Sequence, residues 1–253
     1  MTLALRFLGV GNAQAVELGS ANAVIENNSH PLLMIDCGPE GLTQYLKQYS
    51  SLPEALFVTH AHMDHIGGLE RLFYRCYFQE KQHLRTRLYL PAKLISIFHE
   101  RLATYPNVLA EGGANFWDAF QVIPVGRGFW HQSIWFDVFP VRHHAPETAY
   151  GLGLRNALVW TGDTRPIPEL LLHYGTGQEL IAHDCGLQGN PSHTGIDDIE
   201  REYDASIKSR LKLYHYASEQ DGDALHALGY SVARPGERVE LNAYLLSDRA
   251  GHG

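Results

Sequence analysis

THAHMDHIGGLE, residues 59 to 70, gathers His60, His62, Asp64 and His65 into six positions, directly after the apolar run Ala55-Leu56-Phe57-Val58. A solvated surface has no need of three imidazoles and a carboxylate at the end of a buried strand. The pattern points to metal chemistry, because histidine binds zinc through a neutral ring nitrogen and aspartate through oxygen, both at about 2.0–2.2 Å. One turn supplies only part of two coordination shells, so the remaining ligands have to come from later strand ends.

The rest of the chain meets that demand. VWTGDT places Asp163 after an apolar strand, FPVRHH places His143 and His144 after another, and LKLYHY places His215 at a third. Each is a ligand type closing an apolar run, where layered α/β architectures collect their functional loops. The runs read as strands are Leu3 to Leu8, Ala23 to Glu26, Leu32 to Ile35, Leu56 to Val58, Arg87 to Leu90, Ile134 to Val141, Ala157 to Trp160, Leu180 to Ala182 and Leu211 to Tyr216. Helical patterns lie at 41 to 49, 66 to 78, 92 to 104 and 194 to 209, the last behind Ser192 or Thr194 as N-cap. GVGNAQ at 9 to 14 lacks the third glycine of a dinucleotide loop and reads as a tight turn. The glycine- and aromatic-rich stretch from Ala110 to Trp130 reads as a packed connection, with a lid as the other option. Tyr74, Tyr77, Phe78, Phe116 and Trp117 are expected to be core and are given no functional role.

With 253 residues, 45% of them hydrophobic, the chain can bury a sizeable core, and no linker or repeat divides it, so residues 1–253 are expected to form one domain. Lys plus Arg number 20 against 28 Asp plus Glu, a formal charge of −8, which lacks the basic footprint of most nucleic-acid binders. Cys37, Cys76 and Cys185 show no CxxC spacing and read as free thiols. The N-terminus has no signal-peptide pattern and no later segment suits a membrane helix, so a cytoplasmic location is expected.

THAHMDHIGG, followed in order by a histidine after FPV, by TGDT and by a late strand-end histidine, resembles the metallo-β-lactamase fold superfamily over nearly the full chain. FLGVGNA and the IDCG of residues 35 to 38 resemble that fold's opening strands and turn. The resemblance implies an α/β protein with an αββα four-layer sandwich and a dinuclear site, usually zinc, with manganese as the other option. It implies His60, His62 and His143 around one metal, Asp64, His65 and His215 around the second, and Asp163 between them. Counting from Pro140 favours His143, whereas counting back from Gly151 favours His144 as the alternate ligand.

HDCGLQGNPSHT, residues 183 to 194, resembles the HEAT and HST segment of the phosphodiesterase branch typified by ribonuclease Z. That implies His193 as the acid for the leaving group and Asp184 as its orienting carboxylate. Asp184 stands where that branch has glutamate, a shorter reach. Asp64, His193 and Asp184 are the expected catalytic residues. Only twenty positions separate His143 from Asp163, which leaves no room for the arm with which ribonuclease Z holds tRNA, so a tRNA 3′-processing endoribonuclease is disfavoured.

LGVGNA, ELGSANA, IDCG and THAHMDHIGGLE are similar to cyclic-nucleotide phosphodiesterases of the anti-Pycsar type. The expected reaction is hydrolysis of a small cyclic phosphodiester through a metal-bridging hydroxide, by a protein that this resemblance implies is a homodimer. A glyoxalase II-like thioesterase or lactonase shares the ligand pattern and is the enzymatic rival; a non-catalytic metal-binding protein is the third reading. No membrane partner is expected.

Overall fold

Alternating and continuous apolar runs become thirteen strands in two sheets, with a further short pair beside them. The computed structural model describes residues 2–78, 85–104, 115–175 and 177–242, with the backbone of 108–109 and 112–113. In chain order the strands are β1 Leu3–Gly9, β2 Asn22–Asn27, β3 His30–Ile35, β4 Ala55–Phe57, β5 Thr86–Pro91, β6 Val108–Leu109, β7 Gly112–Gly113 and β8 Phe120–Val125. They continue with β9 Gly128–His131, β10 Ile134–Pro140, β11 Tyr150–Leu154, β12 Leu158–Trp160, β13 Leu180–Asp184, β14 Leu211–Tyr214 and β15 Arg238–Leu241.

The first sheet has the order β15-β1-β2-β3-β4-β5-β8 and the second β14-β13-β12-β11-β10-β9, while β6 pairs only with β7. From β3 to β8 the first sheet is parallel, as are β12, β13 and β14 of the second. Parallel strands are covered on both faces, and their burial shows it: every residue of β4, β12 and β14 is buried. Aromatic side chains join the sheets across the core. Phe7 of β1 lies 5.9 Å from Trp160 of β12, and Phe129 of β9 stacks on Tyr89 of β5 at 4.0 Å between centroids. The architecture is the expected α/β four-layer sandwich.

All nine expected strands form. The stretch from Ala110 to Trp130 departs from expectation: residues 110, 111 and 114 lie outside the described residues, but Phe116–Ala119 is a 3-10 helix and β8 and β9 follow. Its described part therefore contributes strands to both sheets. Phe116 is buried and stacks on Phe73, which agrees with a core role for the aromatics there, whereas Tyr77 and Phe78 are exposed. The helical pattern at 66 to 78 divides into Met63–Ile66 and Leu69–Phe78. The pattern at 194 to 209 divides into Ile196–Glu202 and Ala205–Lys208. The N-cap of the former is Gly195, whose N–H is accepted by Asp198 Oδ2 at 2.9 Å. Thr194 is not the cap because its hydroxyl donates to the Thr164 carbonyl at 2.7 Å.

Glu26, buried in β2, ties the edge strand β15 to the sheet. Its carboxylate accepts from Arg6 Nε at 2.7 Å, Tyr49 Oη at 2.6 Å and Arg238 Nε at 2.7 Å. Burial pushes the carboxyl up, but Tyr49, Arg6 and Arg238 outweigh it and hold it below its ordinary 4.5. The stabilisation is therefore fully present above that value and is lost as pH falls through the lower folded one. Glu26→Gln is expected to cost about 2–3 kcal/mol at pH 7, because both guanidinium groups still reach solvent. Urea unfolding at pH 7 and pH 3 checks this: the gap between variant and wild type should narrow at the lower pH.

Candidate metal centre

The carboxyl ends of β3 and β4 in one sheet meet those of β12, β13 and β14 in the other. Asp36 follows β3, His60 to His65 follow β4, Asp163 follows β12, Asp184 ends β13 and His215 follows β14. The loop after β10 brings His143 to the same place. Close approach of the turns requires glycine here: a Cβ on Gly38 would lie 2.0 Å from the Asp64 carbonyl oxygen, and one on Gly68 would lie 2.3 Å from the Gly38 carbonyl oxygen. That is why GG closes the histidine motif.

Two ligand sets converge. One consists of His60, His62, His143 and Asp163, the other of Asp64, His65, Asp163 and His215, each with donor atoms within 4.8 Å of one another. Asp163 belongs to both. Its Oδ2 lies 3.6 Å from His60 Nε2, 3.9 Å from His143 Nε2, 3.3 Å from His65 Nε2 and 3.3 Å from His215 Nε2. All seven residues expected at the centre are brought together, and the buried cluster contains His143. His144 is exposed, with its Nε2 3.1 Å from His62 Nε2 on the outer side. Of the two adjacent histidines, it is the one reached by the strand count that lies in the cluster.

Partners on the far side of four of the rings orient them. Thr59 Oγ1 donates to Asp36 Oδ2 at 2.6 Å, so it accepts from His60 Nδ1 at 3.1 Å. His65 Nδ1 donates to Asp36 Oδ2 at 2.8 Å, and His143 Nδ1 donates to the Ser192 carbonyl at 2.9 Å. His215 Nδ1 lies 3.2 Å from Asp184 Oδ1. In these four rings, when neutral, Nε2 then carries a lone pair aimed at the centre, whereas His62 turns its Nδ1 inward. His65 Nε2, His215 Nε2 and Asp163 Oδ1 are buried without a hydrogen-bond partner. His60 Nε2 and His143 Nε2 stand 3.1 Å and 3.2 Å from His62 Nδ1. Converging lone pairs with a shared carboxylate are what divalent cations satisfy, and partners that orient each imidazole from behind are the usual second layer of such sites. The residues present fit divalent metal.

Electrostatics follow from the same packing. Burial pushes the Asp163 carboxyl up, but His215, His65 and His60 outweigh it and hold it well below its ordinary range. Burial lowers His143 to about 4, against Asp163 and the Ser192 carbonyl. His215 is opposed by burial yet raised to about 10 by Asp163 and Asp184. His215 also has φ of 71° and Asp36 φ of 58°, left-handed conformations rare for residues other than glycine, and strain of this kind collects at functional sites.

The family assignment rests on sequence. The profile of the Anti-Pycsar protein Apyc1 family matches residues 3–238. The chain belongs to that family. The anti-Pycsar protein Apyc1 of Saccharibacillus brassicae is 31% identical over 86% of this chain and 91% of its own. Among solved structures, a diphosphatase of the PhnP family superposes with a TM-score of 0.74 at 18% identity, covering 94% of this chain and 97% of that one. Human tRNase Z, short form, gives 0.63 at 17% identity, covering 93% and 98%. Both likenesses concern the fold. The Apyc1-family chain is accordingly a metal-dependent hydrolase of the metallo-β-lactamase fold.

Beside the metal cluster of this Apyc1-family site, Asp184 Oδ2 accepts from His193 Nδ1 at 2.8 Å. The shorter carboxylate therefore does reach. Burial opposes the charge on His193, but Asp184 and Asp163 raise its pKa above the usual imidazole value. The His193 side chain keeps 25% exposure toward a cavity of about 430 Å³ that Asn12, Gln14, Gln188 and Asn190 also line. Asp36 and Thr59 were not assigned from sequence. The signal for Asp36 was present in the quoted IDCG, as a carboxylate closing a parallel strand next to β4. Among the described residues no helix is long and apolar enough to cross a membrane.

Proposed function

We propose that this chain is a dinuclear phosphodiesterase that opens a 3′,5′-cyclic nucleotide to a nucleoside monophosphate. The observation that carries the reading is the shared Asp163: two ligand sets meet on one carboxylate, with the His193–Asp184 pair at their edge. Membership of a family whose members are named anti-Pycsar proteins supports it. We assign His60, His62 and His143 to one ion, Asp64, His65 and His215 to the other, and Asp163 to both. Three imidazoles in one set favour zinc, with manganese as the alternative. Two such ions, when bound, lower the pKa of water between them toward neutrality and offset charge on the phosphoryl oxygens.

The chain's own residues do the rest. His193 holds a proton on the ring nitrogen opposite Asp184 and delivers it to the departing ribose oxygen as the P–O bond breaks, while hydroxide from water adds to phosphorus. Asp184 orients the ring and sustains its charge. Neutral carboxamides from Asn12, Gln14 and Gln188 face the sugar and base. A cavity of this size takes one nucleotide, and the acidic chain adds no basic track for a polymer.

The test is a panel of cyclic nucleotides, cyclic dinucleotides, pre-tRNA and a glutathione thioester, with zinc- and manganese-loaded protein, read by mass. Conversion of a 3′,5′-cyclic nucleotide to its monophosphate is expected. Thioester turnover without phosphodiester turnover would replace this reading with the thioesterase one.

A further inference from the structure

His193 stands on a four-residue turn, Asn190-Pro191-Ser192-His193, whose construction is legible from its residues. Proline at the second position presets φ and brings no N–H, and asparagine at the first can accept from the backbone ahead of it. Both happen. Asn190 Oδ1 accepts from the Ser192 N–H at 2.8 Å and from the His193 N–H at 3.1 Å. The backbones of Asn190 and His193 also exchange bonds, Asn190 N to His193 O at 3.1 Å and His193 N to Asn190 O at 3.3 Å. The carbonyl of Ser192 is the acceptor for His143 Nδ1, which pins the turn to the cluster from the other side.

The His193 ring is thereby held between two others, 4.7 Å from His143 and 4.9 Å from His215 between centroids. Asp184 fixes how that ring is rotated, but not where its backbone sits. Asn190 is the one side chain among the described residues that bonds to the His193 main chain. Its residue is exposed, so these bonds are not needed to fill the core.

We propose that Asn190 is a positioning residue for proton delivery, fixing the height of His193 over the scissile bond through two hydrogen bonds to the turn. The inference rests on the reading of His193 as the acid. A misplacement of about 1 Å at a reacting group can lower a rate by about 100-fold. Loss of one side-chain anchor, with the backbone pair and Asp184 retained, is expected to lower kcat by roughly 10-fold.

The experiment compares Asn190→Ala, Asn190→Asp, His193→Ala and the double variant Asn190→Ala/His193→Ala as metal-loaded proteins. Each is assayed on a 3′,5′-cyclic nucleotide, whose alkoxide leaving group needs a proton, and on bis(p-nitrophenyl) phosphate, whose leaving group does not. Asn190→Ala should lose kcat on the first substrate with KM and the second substrate little changed. Asn190→Asp, which keeps the acceptor oxygen, should restore it, and the double variant should be no slower than His193→Ala. Equal losses on both substrates, additive losses, failure of the aspartate to rescue, or no loss at all would overturn the proposal. If His193→Ala itself shows no leaving-group selectivity, the acid assignment fails first, and that outcome is distinct.

Discussion

Asp163→Ala is expected to leave a chain that retains neither metal ion at stoichiometry and hydrolyses phosphodiesters at least about 1,000-fold more slowly than wild type. Among the described residues the carboxylate is the only anion whose oxygen lies within 3.9 Å of His60, His65, His143 and His215 alike, so its loss weakens both ligand sets at once. Charge stabilisation by bound metal is worth several kcal/mol in a displacement, and each 1.36 kcal/mol is tenfold in rate. The same variant separates metal loss from misfolding. Ions that bind only the folded chain stabilise it by about 2.7 kcal/mol at 100 times Kd, so Tm of the wild type should rise with added zinc and fall with chelator. In Asp163→Ala, Tm should respond to neither. Metal analysis after desalting reads the stoichiometry. A variant that still holds two ions per chain would show that Asp163 does not join the sets.

His193→Ala is expected to do the reverse, keeping its metal while turnover of a cyclic nucleotide falls by about 10²- to 10⁴-fold, the usual range for loss of a general acid. His193 is no member of the two sets that share Asp163, although it lies with Asp184 and His215 in a third close group. Its removal takes away the proton, not the lone pairs at the centre. Bis(p-nitrophenyl) phosphate should be largely spared. Full activity of His193→Ala on the cyclic nucleotide would remove it from the mechanism.

The candidate site was legible in the sequence because its candidate ligands close apolar strands, and strand ends at one edge of parallel sheets have to meet. His60 to His65 announce themselves by density, and Asp163 and His215 by the runs before them. Asp36 was harder to read: it acts on Thr59 and His65, 23 and 29 positions on, and only the parallel pairing of β3 with β4 brings them together. His143 and His144 are chemically alike and adjacent, and only their burial, invisible in the sequence, tells them apart. The unread strands hide for local reasons. β11 is YGLGL, in which a Cβ on Gly151 would come 2.5 Å from the ring of Phe139, so the glycine that looks like a turn is a packing requirement. β8 contains Pro124 and lies at the sheet edge, where a missing N–H is tolerated.

The helix at 194 to 209 shows the converse. Its apolar stripe of Ile196, Ile199, Tyr203 and Ile207 is buried as its periodicity demands, yet the backbone breaks where Asp204 caps a new turn by accepting from the Ile207 N–H at 3.0 Å. Periodicity reports the face that is buried, and capping chemistry decides where the backbone restarts.

The most direct measurement is anomalous diffraction at the zinc absorption edge from crystals of metal-loaded protein. Two peaks about 3.5–4 Å apart, with Asp163 between them and His60, His62 and His143 around one, are the expected result. One peak, or none among these side chains, would contradict the dinuclear centre on which the proposed chemistry depends.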